Sequence, residues 1–221
     1  MNNTVIENNQ KIYLDLYDKY ILPNYKGAKQ LREWIVASDF FTAPASALHH
    51  LAEKGGLCRH TLNVYYELEK QLKCHYGEDY VEKMGIDKGS VALVSLCHDL
   101  CKCHMYEIDY RNKKVYSETG TKFDNKGKFD WVSEECYVIN EKFRFGHGAK
   151  SVFIVMNFIQ GISLEEASAI RFHQGGFETG ADNIVERNLT QVYDDFPLAF
   201  WTHMADMVAT HVIEAQPTEI C

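Results

Sequence analysis

Ser90-Val-Ala-Leu-Val-Ser-Leu-Cys97 runs straight into His98-Asp99. An apolar run of this kind reads as a buried helix, continuing from Ser90 to about Cys103. Burying a histidine and an aspartate side by side at its end is costly unless each finds a strong partner. A divalent cation is such a partner, because imidazole and carboxylate suit Zn, Mn and Fe and the cation offsets the buried negative charge. Adjacent helix residues point roughly 100° apart, so both side chains reach one ion where the helix meets a cleft.

Further candidates lie on either side. His60 follows Lys54-Gly-Gly-Leu57, where paired glycines let the backbone turn tightly and present a side chain at a helix start. Asp206 is a second unexplained carboxylate, within the apolar helix Trp201-Thr-His-Met-Ala-Asp-Met. His147 and His173 each sit beside glycine near a helix terminus, in Gly146-His-Gly148 and His173-Gln-Gly-Gly176. Lys102 shares a helix face with Asp99 at i+3, where its ammonium can steady the carboxylate or meet a phosphate oxygen.

The remaining pattern is mostly helical. Ile12, Leu16 and Tyr20 mark a helix over 7–22 closed by Pro23, and Leu31, Trp34 and Ile35 mark another over 28–36. Ser38 to Ser46 reads as an ordered loop, and helical spacing returns from His60 to Leu72 and from Ala149 to Phe158. Ser163-Leu-Glu-Glu166 is a capping-box start, and Phe196-Pro197 opens a last helix through Ile213. Residues 105–140 differ: Tyr106, Ile108 and Tyr110 alternate with polar neighbours, as do Phe129 and Trp131, around a Gly-containing turn. The expected fold is mainly α: one domain over 1–221, a helical bundle with an N-terminal helical extension (1–35) and an inserted β-hairpin (105–140).

Composition narrows the function. At 221 residues with 46% hydrophobic content the chain fills a sizeable core, and its formal charge of −8 argues against a duplex nucleic-acid binder. Apolar runs such as Val152 to Met156 are too short for a bilayer span, and the N-terminus lacks the features of a signal peptide. Seven cysteines without an export signal are expected to be reduced thiols in a cytoplasmic protein. Between Arg111 and Lys128 six basic residues face two acidic ones, Glu118 and Asp124, which reads as a solvated turn or as a phosphate-attracting rim. Cys97, Cys101 and Cys103 lack the paired spacing of a zinc cluster and read as core thiols. His49, His75 and His211 have no evident partners, and no P-loop or dinucleotide fingerprint is present.

The order H…HD…D, together with Ala43-Pro-Ala-Ser46, His50, Gly55-Gly-Leu-Cys-Arg-His60-Thr-Leu-Asn-Val64, Leu96-Cys-His-Asp-Leu-Cys-Lys102, Gly146-His147-Gly-Ala-Lys-Ser151, Ala169-Ile-Arg-Phe-His173 and His203-Met-Ala-Asp206, resembles the HD-domain metal-dependent phosphohydrolases. The likeness covers about residues 35 to 212. It is strongest to stand-alone bacterial and phage hydrolases and to the HD domain of bacterial 3′-to-5′ exoribonucleases. Two positions depart from the pattern: Arg59 stands where an acidic residue is usual, and Cys101 replaces the glycine before Lys102.

The resemblance implies that His60, His98, Asp99 and Asp206 bind one divalent ion (Mn, Fe, Mg, Ni or Zn). His147 and His173 match the positions that complete a second site, with Asp99 bridging. It further implies hydrolysis of a phosphate ester of a nucleotide or related small molecule by a metal-activated water. In that reaction Asp99 and Lys102 belong to the catalytic centre, and His50 supports a ligand or donates a proton to the leaving group. Lys150 and Arg171 are candidate phosphate contacts, and His203 is expected to hydrogen-bond within the site. The alternatives are a phosphodiesterase or 3′-to-5′ exonuclease on short single-stranded RNA or DNA, a di-iron oxygenase on the same ligand set, and a non-catalytic nucleotide-binding regulator.

Overall fold

A computed structural model describes residues 2–178 and 184–215. The helices are α1 (Asn3–Tyr20), α2 (Ala28–Ala37), α3 (Gly56–Tyr76), α4 (Tyr80–Met84), α5 (Lys88–Cys97), α6 (His147–Phe158), α7 (Leu164–Arg171), α8 (Ile184–Asp195) and α9 (Pro197–Val208). Leu100–Lys102 forms a short 3-10 turn, and a π-helical turn, Ala209–Ile213, follows α9. The protein is thus mainly helical with one small antiparallel sheet, and no described helix is long and apolar enough to cross a membrane.

Local chemistry sets the helix starts. The Asn2 side chain accepts from the Val5 amide and the Asp87 side chain from the Ser90 amide, each satisfying a first-turn donor. Ser163 and Glu166 form the expected capping box, and Glu166 also receives hydrogen bonds from Ser90 and Tyr25, so it joins α7 to α5. The Gly55-Gly56 pair before α3 serves two needs. Gly55 has φ +80°, and a Cβ on Gly56 would lie 2.1 Å from the Leu51 carbonyl oxygen, so both positions exclude larger residues.

The core lies where α3 packs on α5 and α9, with α7 against α9 and α1 against α5. Every residue of α5 from Gly89 to Cys97 is buried. In α1 the buried face is Ile6, Tyr13 and Tyr17, whereas Ile12, Leu16 and Tyr20, which mark the helix in the sequence, are only partly buried. The two buried tyrosines of α1 keep their hydroxyls satisfied: Tyr13 donates to the Leu96 carbonyl at 3.0 Å and Tyr17 to the Ala28 carbonyl at 2.8 Å.

The insertion is a three-stranded sheet, not a simple hairpin. It comprises β1 (Tyr106–Tyr116), β2 (Lys122–Asp124) and β3 (Gly127–Ile139), in the order β1-β3-β2. β1 pairs with β3 from Tyr106↔Ile139 to Tyr116↔Phe129, and β2 adds Lys122↔Phe129 to Asp124↔Gly127. Only Phe129 is buried on these strands, so the alternation in the sequence marks the two sides of the pleat and no helix-packed face. Two of the six basic residues are paired here: Lys114 with Asp124 at 2.7 Å and Lys113 with Glu134 at 3.3 Å, with Lys114 also over the Phe129 ring.

Six cysteines are described and all are free thiols, as expected; Cys221 lies outside the described residues.

Candidate metal centre

The end of α5 and the turn after it deliver His98, Asp99, Cys101 and Lys102 to the middle of the helical body. The first turns of α3 bring His60, the first residue of α6 is His147, the end of α7 leads to His173, and α9 carries Asp206. All six predicted ligands meet. His60 Nε2 lies 3.3 Å from His98 Nε2, 3.1 Å from Asp206 Oδ1 and 3.5 Å from Asp99 Oδ2. The other oxygen of Asp99, Oδ1, is 2.7 Å from His147 Nε2 and 3.5 Å from His173 Nε2. Among the described residues, His60–His98–Asp206, His98–Asp99–His173 and Asp99–Cys101–His147 are each compact enough to surround an ion.

The outer ring nitrogens fix the tautomers. His98 Nδ1 lies 2.7 Å from the Ser95 carbonyl and His173 Nδ1 2.7 Å from the Ile170 carbonyl. A carbonyl only accepts, so both Nδ1 atoms carry the proton. His60 Nδ1 likewise meets the carboxylate of Glu214. In the neutral imidazoles three Nε2 lone pairs therefore face inward, towards two carboxylates. Acceptors gathered at such distances could hold a cation between them, and outer hydrogen bonds of this kind are those that orient histidine metal ligands. Among the described residues, buried His173 Nε2 makes no hydrogen bond and has only the 3.5 Å approach of Asp99 Oδ1, a costly state that a metal would relieve.

Without a metal, protons take part of that role. Burial opposes protonation of His60, but Asp206 and Glu214 on its two nitrogens raise its pKa to about 10. Burial would raise the Asp99 carboxyl, yet Lys102, His98 and the hydrogen bond from His147 hold it well below the ordinary range. Asp206 is held low by His60 in the same way, against its burial. His98 and His147 are pushed down by burial.

The other predicted residues divide. Lys102 is buried, with Nζ 2.7 Å from Asp99 Oδ2. His50 stands beside His60 with ring centroids 5.0 Å apart, and burial, with His60 and Lys102 nearby, lowers its pKa to about 4. His203 directs its Nδ1 to the His173 carbonyl at 2.7 Å, on the outer side of that ligand candidate. Gly175 leaves room for that ring, since a Cβ there would lie 2.8 Å from it. Lys150 is buried and paired with Glu141 at 2.8 Å, so its ammonium is already engaged. Arg171 lies over the Phe172 ring and lines an apolar groove with Phe145, Phe153 and Met156, a groove that none of the six ligands lines.

A cavity of about 470 Å³ opens beside the cluster, lined by His49, His50, Lys102, Gln174, Asp206 and His211, among others. Three features here escape sequence reasoning. His49 and His211, without evident partners in the sequence, share this cavity wall. Cys101, read as a core thiol, has its sulfur 3.3 Å from a His147 ring nitrogen. Glu214 follows the π-helical turn and returns to the core, where it is buried against His60 and Asn63. No motif marks Glu214, because only the widened turn aims it inward. His75, the remaining histidine without an evident partner, packs on the Tyr76 and Trp201 rings.

Comparison with protein-family models, with curated proteins and with solved structures finds no match to this chain.

Proposed function

We propose that this protein is a metal-dependent phosphohydrolase of the HD type, cleaving a phosphate ester of a nucleotide or a related small molecule. One observation carries the reading: three tautomer-fixed imidazoles and two carboxylates converge as acceptors beside a cavity of nucleotide size. The order of those residues along the chain, H…HD…H…H…D, supports the same assignment.

His60, His98, Asp206 and Asp99 would hold one ion, and Asp99, His147 and His173 a second. A divalent ion there supplies Lewis acidity towards phosphoryl oxygens and lowers the pKa of a coordinated water towards neutrality. The chain does the rest by positioning. Lys102 ties down Asp99 Oδ2, which leaves Oδ1 directed at His147. Ser95, Ile170 and Glu214 keep the ring planes of His98, His173 and His60 fixed. His49, His50 and His211 line the cavity wall beside Lys102, and would be the side chains nearest to a bound phosphate ester. The same cavity gives no extended basic track, so a small ester fits better than a polynucleotide.

The test is elemental analysis of purified protein, with hydrolysis of bis-p-nitrophenyl phosphate and a nucleotide panel in added Mn²⁺. Bound divalent metal with phosphate release is the expected result, and Asp99→Ala should abolish turnover while the fold survives. An active Asp99→Ala protein would sink the reading. Tightly held iron with oxygen-dependent turnover and no hydrolysis would replace it with dioxygen chemistry on the same ligands.

A further inference from the structure

Cys101 stands two residues beyond Asp99, in the turn Leu100–Lys102. Its amide donates to Ser151 Oγ at 3.1 Å, which pins the turn to the start of α6. The thiol is thereby held against His147, with Sγ 3.3 and 3.4 Å from the two ring nitrogens. Asp99 Oδ1 lies 4.0 Å from the same sulfur and 2.7 Å from His147 Nε2. Independently, the unpartnered Nε2 of His173, fully buried, points at this same Asp99 oxygen from 3.5 Å. The Asp99 Oδ1 side of the centre therefore has a sulfur donor as well as nitrogen and oxygen.

We infer that Cys101 is a ligand, as thiolate, of the ion held by Asp99 and His147, so that this half of the centre is a mixed S/N/O site. The inference rests on the proposed metal centre and adds to it a residue that the expected ligand set leaves out. The spacing suits it. Bonds of about 2.0 Å to nitrogen and 2.3 Å to sulfur in a tetrahedral site keep neighbouring donors roughly 3.5 Å apart. The sulfur separations bracket that value, and the shorter His147–Asp99 contact opens by less than an ångström once an ion replaces the hydrogen bond.

On coordination the S–H bond breaks, its proton leaves to solvent, and the sulfur lone pair forms the metal bond; no redox partner is involved. The chemical consequence is selectivity. A thiolate favours Zn²⁺, Co²⁺ or Fe²⁺ over Mg²⁺ and Mn²⁺, whereas histidine and carboxylate alone admit the harder ions. Serine at this position keeps the size and removes the soft donor.

Cobalt titration of the full chain tests this. With Co²⁺ as the probe, the protein should develop a near-ultraviolet thiolate-to-cobalt charge-transfer band. Cys101→Ser should lose that band while keeping visible ligand-field bands from the remaining site, and Cys97→Ser and Cys103→Ser should retain it. X-ray absorption on the zinc-loaded wild-type protein supplies a measurement independent of any variant's folding: one sulfur per two zinc ions is expected with both sites filled, because only the ion beside Cys101 carries the thiolate. Metal bound through nitrogen and oxygen only, or a band that survives in Cys101→Ser, overturns the inference and leaves the proposed centre standing. No bound metal at all overturns both.

Discussion

Both carboxylate oxygens of Glu214 lie 3.1 Å from Nδ1 of His60, across 154 residues of chain. The pair leaves His60 Nε2 facing Asp206 and His98, so a residue just beyond the last helix controls how the first histidine is presented. Removing the charge without the shape isolates that control. Glu214→Gln is expected to weaken metal binding about 10- to 100-fold with the fold retained, the usual cost of losing such an outer partner. Equilibrium dialysis against Zn²⁺, with circular dichroism as the folding control, measures it.

The same contact makes the metal-free protein sensitive to base. The His60 pKa is raised from 6.5 to about 10. Its contribution to stability is therefore complete below about 6.5 and is lost as pH rises through about 10. His173, raised by Asp99 against its burial, acts in the same direction. Histidines pushed down by burial titrate below this window, and cysteine thiols of the unfolded chain, with a midpoint of 9.0, stay mostly protonated through it. Chelated protein should thus lose thermal stability between pH 7 and 8.5, and metal-loaded protein should not. A flat Tm across that interval in the chelated form would contradict the assignment.

Lys102 offers a separation of binding from turnover. Its ammonium is buried 2.7 Å from Asp99 Oδ2 and competes with any cation for that carboxylate. Lys102→Met should leave metal affinity unchanged or tighter, because a competing charge is gone, while kcat falls. Breaking a buried pair also costs about 3–5 kcal/mol when one charge is stranded, and added metal should recover much of that loss. Calorimetric unfolding with and without Mn²⁺ distinguishes the two effects.

Tyr13 ties the first helix to the centre. Its hydroxyl satisfies the Leu96 carbonyl in the last turn of α5, two residues before His98. Tyr13→Phe strands that carbonyl at a cost of about 1–3 kcal/mol. The expected result is a lower Tm together with weaker metal retention; a lower Tm with unchanged retention would make α1 a purely structural support.

These residues also show what a sequence reveals. The capping box at Ser163–Glu166 and the paired glycines before α3 are local devices, so their readings carry directly into the structure. The six proposed ligands stand out because histidine and aspartate in apolar surroundings need an explanation that three-dimensional context only sharpens. Tyr13 and Tyr17 are harder to read. Their hydroxyls are satisfied by the carbonyls of Leu96 and Ala28, 83 and 11 residues away along the chain, which no local pattern of apolar residues announces. β2 is three residues long and exists only through its pairing with β3, which leaves a hairpin as the simplest expectation. Cys101 looks like one of three core thiols because helical spacing scatters them; the switch to a tighter turn after Cys97 separates it from the other two. Glu214 depends on a π-helical turn that no residue pattern announces.

The proposed donors come from α3, the end of α5, α6, the end of α7 and α9, whereas the sheet contributes none. A bound ion would therefore rivet five distant stretches of chain at one point, and none of them could open without first breaking coordination. Protease resistance and amide exchange in the helical body should then be governed by metal dissociation. The sheet, outside the rivet, would open at its own rate, giving one chain two independent clocks.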